Sequence, residues 1–177
     1  MSTVIDERLQ NFDFEAALSN KLPSTVKRAQ VDGPLLSDLL ALEYTNLGVG
    51  TIEAEVTLQA QHCRCSPLGY ILHGGASLAI AENIAGFGSR LLCHVLGYNN
   101  LTPVGVSVTA NHISMALYHE RLRIKATAIQ QGHTLHVWNI DLLHSSNGSL
   151  VSSVRVTNAL IEPRQPRPKE SQAQSQR

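Results

Sequence analysis

The segment from Gly74 to Val95 constrains the fold more than any other part of the chain. Its residues are apolar on nearly every side of a helical turn, and Ala76, Ala79, Ala81, Ala85, Gly86 and Gly88 keep it thin. A helix apolar almost all round has to be buried. It is not a membrane span, because Glu82, Asn83, Ser89, Arg90 and His94 interrupt the apolar run from Ala76 to Leu96. The helix therefore needs a protein layer that wraps it.

The rest of the chain supplies strands. Glu43 to Leu47, the turn Gly48-Val49-Gly50, and Thr51 to Leu58 have the pattern of a hairpin. Ile52, Ala54, Val56 and Leu58 alternate with polar neighbours, as a sheet covered on one face requires. Gln59 to Gly69 reads as a loop holding His62, Cys63 and Cys65. After the helix, Val104, Val106, Val108 and Ala110 alternate, as do Leu122, Ile124, Ala126 and Ala128. Leu135 to Leu143 and Leu150 to Ile161 follow, joined by the turn Ser146-Asn147-Gly148. Two strands, a long helix and four strands make an α+β layer arrangement in which one curled antiparallel sheet surrounds one helix.

At the ends, Thr3 to Ser19 has helical spacing, Lys21 to Gly33 reads as a linker, and Pro34 to Leu42 as a short helix. From Pro163 the chain is rich in Pro, Gln and basic residues and is expected to be disordered. The expected division is 1–33 as extension and linker, 34–162 as the folded domain and 163–177 as tail. The chain has 177 residues, enough for one core without metals or disulfides. Net charge is zero, which argues against nucleic-acid or acidic-membrane partners. Charged residues are only 16%, which points to a surface partly covered by another subunit. Three cysteines and an acidic N-terminus read as free thiols in a reducing, cytoplasmic setting.

The chemistry-bearing segment is Gly69 to Glu82. His73-Gly74-Gly75 falls where the helix begins, so bare backbone N–H groups and the positive helix end meet at one place. Glu82 is the only acid between Glu55 and Glu120. A carboxylate on a buried helix is costly and needs a reason, which is either a structural hydrogen bond or catalysis. Two turns upstream, His-Gly-Gly favours the second.

Leu72-His-Gly-Gly-Ala-Ser-Leu-Ala-Ile-Ala-Glu82 resembles the signature of the hotdog-fold acyl-CoA thioesterases. The branch is that of the 4-hydroxybenzoyl-CoA, phenylacetyl-CoA and 1,4-dihydroxy-2-naphthoyl-CoA enzymes. Val104 to His112, Gln131 to Trp138 and Arg155 to Leu160 extend the resemblance, which covers about Leu36 to Ile161. It implies a hotdog fold with a long central helix wrapped by a curved antiparallel sheet. It implies a homodimer or a dimer of dimers with the site at the dimer interface. By resemblance, Glu82 is general base or nucleophile, the Gly74 N–H polarises the thioester carbonyl and His73 places substrate or water. Gly75, Ser66, Gly86, Asn111, Gly132, His133 and Thr134 are the implied substrate contacts, the last three toward CoA. CoA belongs to the substrate, and no separate cofactor is implied.

Two departures from the pattern stand out. Relatives often carry a Gln shortly before Pro-x-Gly that touches the carbonyl. Here the stretch is Cys65-Ser66-Pro67-Leu68-Gly69, leaving Ser66 or Gln61 for that place. Gly86 replaces a frequent hydroxyl residue. Other readings are weaker: His62, Cys63, Cys65 and His73 lack the paired spacing of a zinc site. Cys93 reads as core, and Trp138 as core or interface. Asn111-His112 reads either as a substrate contact or as a sheet-edge or interface pair. No Ser-His-Asp series is evident. The rival functions are a hotdog hydratase or dehydratase acting on thioesters, and a non-catalytic acyl-CoA binding module.

Overall fold

The computed structural model describes residues 35–163 and, before them, Glu15 alone. The expected N-terminal helix, the linker and the tail beyond Pro163 lie outside these described residues. In chain order come α1 (Leu36–Leu40), β1 (Glu43–Gly48), β2 (Thr51–Thr57), a 3₁₀ turn (Ala60–His62), β3 (Cys63–Ser66) and β4 (Gly69–Leu72). Then follow α2 (Gly74–Val95), β5 (Thr102–His112), β6 (Arg121–Gln131), β7 (Leu135–His144) and β8 (Leu150–Ile161). Six strands form one antiparallel sheet in the order β1-β2-β6-β7-β8-β5, and β3 and β4 form a separate hairpin. This is the hotdog architecture, with α2 as its filling.

α2 has the bounds its apolar run predicts. Its inner face, with Ile80, Ala81, Ile84 and Ala85, packs on Ile52, Ala54, Ile124, Trp138 and Val156 in one buried core. Small residues set the approach distance. A Cβ on Gly88 would lie 2.5 Å from the Trp138 ring, so the indole lies directly on helix backbone. The indole N–H donates to Ser89 Oγ at 2.9 Å, and Asn158 Nδ2 donates to the same oxygen at 2.9 Å and to Ala85 O at 3.0 Å. The indole N–H of Trp138 and the amide N–H groups of Asn158 are thus partnered inside the core, as burial demands. Cys93 is buried beside Leu101 and Leu160, and the three cysteines are free thiols.

Two elements differ from the sequence reading. The stretch read as a loop from Gln59 to Gly69 holds the 3₁₀ turn and β3 and leads at Gly69 into β4, its hairpin partner. The two strands have four residues each, too short to show alternation, and Gly69 (φ 100°) supplies the left-handed turn position. On β5 the alternation breaks. The register with β8 shifts between Gly105 and Ser107, a bulge that turns Val104 and Val106 outward (41% and 59% exposed). Val108 and Ala110 still pack on the core.

β5 is an edge strand, and beyond it no further strand pairs among the described residues. No helix among them is long and apolar enough to cross a membrane.

Candidate active site

The start of α2 is built by His73. Its backbone is extended (φ −77°, ψ 131°), and its ring Nδ1 accepts a hydrogen bond from the Gly75 N–H at 2.8 Å. Its carbonyl accepts from Ala76 N–H at 2.9 Å and Ser77 N–H at 3.2 Å. The Ser77 bond is the first regular bond of the helix; with the His73 N–H donating to His62 O, three of the four orphan donors, those of His73, Gly75 and Ala76, are satisfied. The fourth, the Gly74 N–H, has no partner among the described residues. It is a free donor at the positive end of a 22-residue helix. With Nδ1 accepting, the neutral His73 ring carries its hydrogen on Nε2.

His73 is itself held in place. Its N–H donates to His62 O at 2.9 Å. The buried His62 ring spends both nitrogens on the scaffold: Nδ1 accepts from Gln59 N–H at 3.0 Å and Nε2 meets Leu39 O at 2.8 Å. Beside His73 opens a cavity of about 250 Å³, lined by Leu36, Leu39, Leu40, Cys63, Ala76 and Ala79 together with Gln61, His62 and His73.

The edge strand β5 runs past both chemical ends of the helix. A Cβ placed on Gly74 would lie 2.8 Å from His112 Nε2, so this imidazole covers the helix entrance. A Cβ on Gly105 would lie 2.5 Å from Glu82 Oε1, so the Glu82 carboxylate rests on bare strand backbone. Glu82 is exposed in the single chain, contrary to the expectation of a carboxylate on a helix buried all round. The sheet wraps the other sides of α2 but ends at β5, and Glu82 lies at that open margin.

Gly75 is exposed at the helix start. Ser66 Oγ donates to Gly69 O at 2.8 Å and accepts from Leu68 N–H at 3.2 Å, closing the β3–β4 turn. Gln61 Nε2 is committed to Leu39 O and Gln59 Oε1. Gly86 is one turn beyond Glu82, and a Cβ there would meet nothing within 4 Å. Asn111 is exposed on β5, where it pairs with Ser153. Gly132, His133 and Thr134 do not join His73 and Gly74 in one chain. They stand at the far end of α2, where the His133 ring packs edge-on against Tyr98 at 4.7 Å.

One constellation escapes sequence reading. Ser114 Oγ lies 3.0 Å from His144 Nε2, and His144 Nδ1 pairs with Glu120. The order is that of a nucleophile triad. However, the Ser114 hydroxyl is given to Leu150 O at 2.8 Å, so its hydrogen is not offered to His144. The line ties the β5–β6 connection to the β7–β8 turn. Burial would raise the Glu120 carboxyl, but hydrogen bonds from His144 and the Leu117 N–H outweigh it and hold the group below its ordinary range.

Comparison with known proteins identifies the family. The family model described as thioesterase superfamily matches residues 69–151, from β4 to the start of β8. Human acyl-coenzyme A thioesterase 13 is 31% identical over 113 residues, covering 63% of this chain and 74% of that protein. The 1,4-dihydroxy-2-naphthoyl-CoA hydrolase of Escherichia coli is 29% identical over 122 residues, 69% of this chain and 83% of the relative. The crystal structure of a thioesterase from Haemophilus influenzae superposes with a TM-score of 0.59 at 29% identity, covering 70% of this chain and 80% of that one. A curled sheet around one helix, a free N–H at the helix entrance and these likenesses lead to one conclusion: the chain belongs to the thioesterase superfamily and is a thioester hydrolase.

Proposed function

We propose that the protein hydrolyses acyl-CoA thioesters at two equivalent sites, each shared between two copies of the chain. The observation that carries this reading is the placement of Glu82 over Gly105 and of Gly74 under His112 along one edge strand, whose outer side pairs with no strand among the described residues. Eight residues of helix separate Gly74 from Glu82, about 12 Å at ~1.5 Å per residue. Direct attack on a carbonyl whose oxygen is held by an N–H requires the two groups within roughly 7 Å. One chain's Gly74 and Glu82 therefore serve different carbonyls.

Two β5 edges resolve the mismatch. An antiparallel two-fold pairing centred between Val108 and Thr109 sets each Gly105 opposite His112 of the partner subunit. It brings the partner's Glu82 to the Gly74 N–H. β5 is suited to this pairing because Val104 and Val106 are exposed on it, whereas the other edge, β1, exposes Glu43, Thr45 and Asn46. Such an interface also accounts for the low surface charge. Two such dimers joined make the tetramer that the resemblance implies.

The chemistry is short. The thioester oxygen sits on the Gly74 N–H, and negative charge developing there is stabilised by the helix end. The partner's Glu82 takes a proton from a water that attacks the carbonyl carbon, or attacks that carbon itself to form a mixed anhydride that water hydrolyses to the free acid after the thiolate has left. The C–S bond then breaks, and a thiolate with a conjugate pKa of about 8.5 leaves without strong acid help. His73 fixes the helix entrance. The small cavity beside it is assigned to the acyl group. The relatives named for CoA thioesters support CoA as carrier, with Gly132, His133 and Thr134 as its contacts. Residues 34–162 form the catalytic unit in this reading.

Turnover of Glu82→Gln tests it. Gln keeps size and helix propensity but is neither base nor nucleophile, so turnover is expected to fall at least ~10²-fold with the melting temperature unchanged. Near-normal thiol release by a folded Glu82→Gln protein would overturn the reading. Release of free CoA by the unaltered chain separates hydrolysis from both hydration and non-catalytic binding.

A further inference from the structure

We propose that His112 is a second hydrogen-bond donor to the thioester carbonyl, and that Ser152 holds it in the donating tautomer. The inference rests on the reading of Gly74 as the first donor.

Ser152 is fully buried at 0% exposure on β8. Among the described residues its hydroxyl has one hydrogen-bond partner, His112 Nδ1, at 3.0 Å. A buried hydroxyl that fails to donate loses its hydration without replacement. If Nδ1 carried a hydrogen, it would donate to Ser152 Oγ, and the Ser152 hydrogen would be left without an acceptor among the described residues. The Ser152 O–H therefore donates to Nδ1, and the neutral imidazole carries its own hydrogen on Nε2.

That Nε2 is the end of the ring that covers Gly74, 2.8 Å from where a Cβ would stand, and it makes no hydrogen bond among the described residues. Two unpartnered N–H groups, one from the backbone of Gly74 and one from His112, thus open at the same helix entrance. Developing charge on a carbonyl oxygen is best met by preorganised donors of this kind. A neutral imidazole donor has the added property that it holds its hydrogen without delivering it, so the carbonyl is polarised and Glu82 keeps the proton transfer to itself. The polar side chains nearest in sequence are committed elsewhere, Ser66 to its turn and Gln61 to Leu39 and Gln59. His112 touches substrate in this account and is a catalytic residue; Ser152 acts through it and is a positioning residue.

Four variants of the full chain, assayed with benzoyl-CoA and octanoyl-CoA, test the assignment. His112→Phe keeps a ring over Gly74 but has no donor, and kcat is expected to fall about 10²-fold or more, with KM changed less than about threefold. Ser152→Ala frees the tautomer and is expected to lower kcat about tenfold, again with little change in KM, whereas Ser152→Thr restores most of it. Glu82→Gln, run alongside, separates the two readings. If Glu82→Gln collapses while folded His112→Phe keeps full kcat, the present inference fails alone. If Glu82→Gln also keeps its activity, the parent reading fails. A measurement on the unaltered protein needs no variant to fold: ¹⁵N shifts of labelled histidine should show His112 with hydrogen on Nε2 and a hydrogen-bonded lone pair on Nδ1. The opposite tautomer overturns the proposal.

Discussion

The Glu82 carboxylate lies against the Cα of Gly105, where any side chain on the strand would displace it. The helix contributes the acid and the strand contributes the absence of a side chain. Gly105 also opens the β5 bulge, so the residue that bends the edge strand is the one that makes room for the proposed base. Gly105→Ala would set a Cβ 2.5 Å from Oε1 and push the carboxylate out of position. We expect kcat to fall at least about tenfold, since an ångström-scale misplacement of a reacting group costs up to ~10² in rate. The melting temperature should hold, because the only group in the way of the new methyl is the flexible Glu82 side chain, which can swing aside. Steady-state kinetics with thermal melting on the same sample checks both halves.

Gly88 and Trp138 give a prediction about the core. A methyl on Gly88 has no space, with ring atoms at 2.5 and 2.6 Å and Ile52 Cδ1 at 2.9 Å. The better helix propensity of alanine is worth only about 1 kcal/mol, and overpacking of a tight core costs about 1–3 kcal/mol. Gly88→Ala should therefore be net destabilising in denaturant titration. A gain in stability would mean that the indole does not lie on the helix as described.

His136 predicts a pH dependence of folding. It is fully buried on β7 with neither ring nitrogen partnered among the described residues, and burial pushes its pKa down. The unfolded chain takes up a proton at this histidine near pH 6.5 while the folded chain resists it. Stability is thus highest above about pH 6.5 and falls as pH drops below it, with a slope from this one group of at most about 1.4 kcal/mol per pH unit. Below the folded-state pKa the loss levels off. His136→Phe should remove that component, so the difference between the two proteins in denaturant titrations at pH 7.5 and 5.5 is the reading. Parallel pH profiles would contradict it.

The helix and most strands were legible because their periodicities are local. α2 runs from Gly74 to Val95 and β8 from Leu150 to Ile161, as the apolar pattern alone indicates. The β3–β4 hairpin was not legible, since four-residue strands around Pro67 and Gly69 carry too little pattern. Nor was the outward turn of Val104 and Val106, because a bulge leaves the alternation of the sequence intact while reversing it in space. The site shows the same division. His73, Gly74 and Glu82 stand out by spacing along one helix. The placement of His112 over Gly74 and its bond to Ser152 depend on two strands that meet only in the folded sheet, and no short-range pattern encodes them.

Subunit complementation tests the central claim most directly. Gly74→Pro removes the free N–H at the first helical position, where proline is tolerated and the extended His73 is compatible with it, and its Cβ also displaces the His112 ring, so both proposed donors are lost together. Glu82→Gln removes the acid. Each variant alone should be nearly inactive. If the partner's Glu82 works at each Gly74, a mixed dimer of the two variants holds one intact site and one doubly defective site. Unfolding and refolding an equimolar mixture should then restore about one quarter of wild-type turnover, from half of the dimers being mixed and one of their two sites being whole. A mixture that forms mixed dimers, verified by mass spectrometry of the intact complex, yet stays as inactive as its components would contradict the shared site.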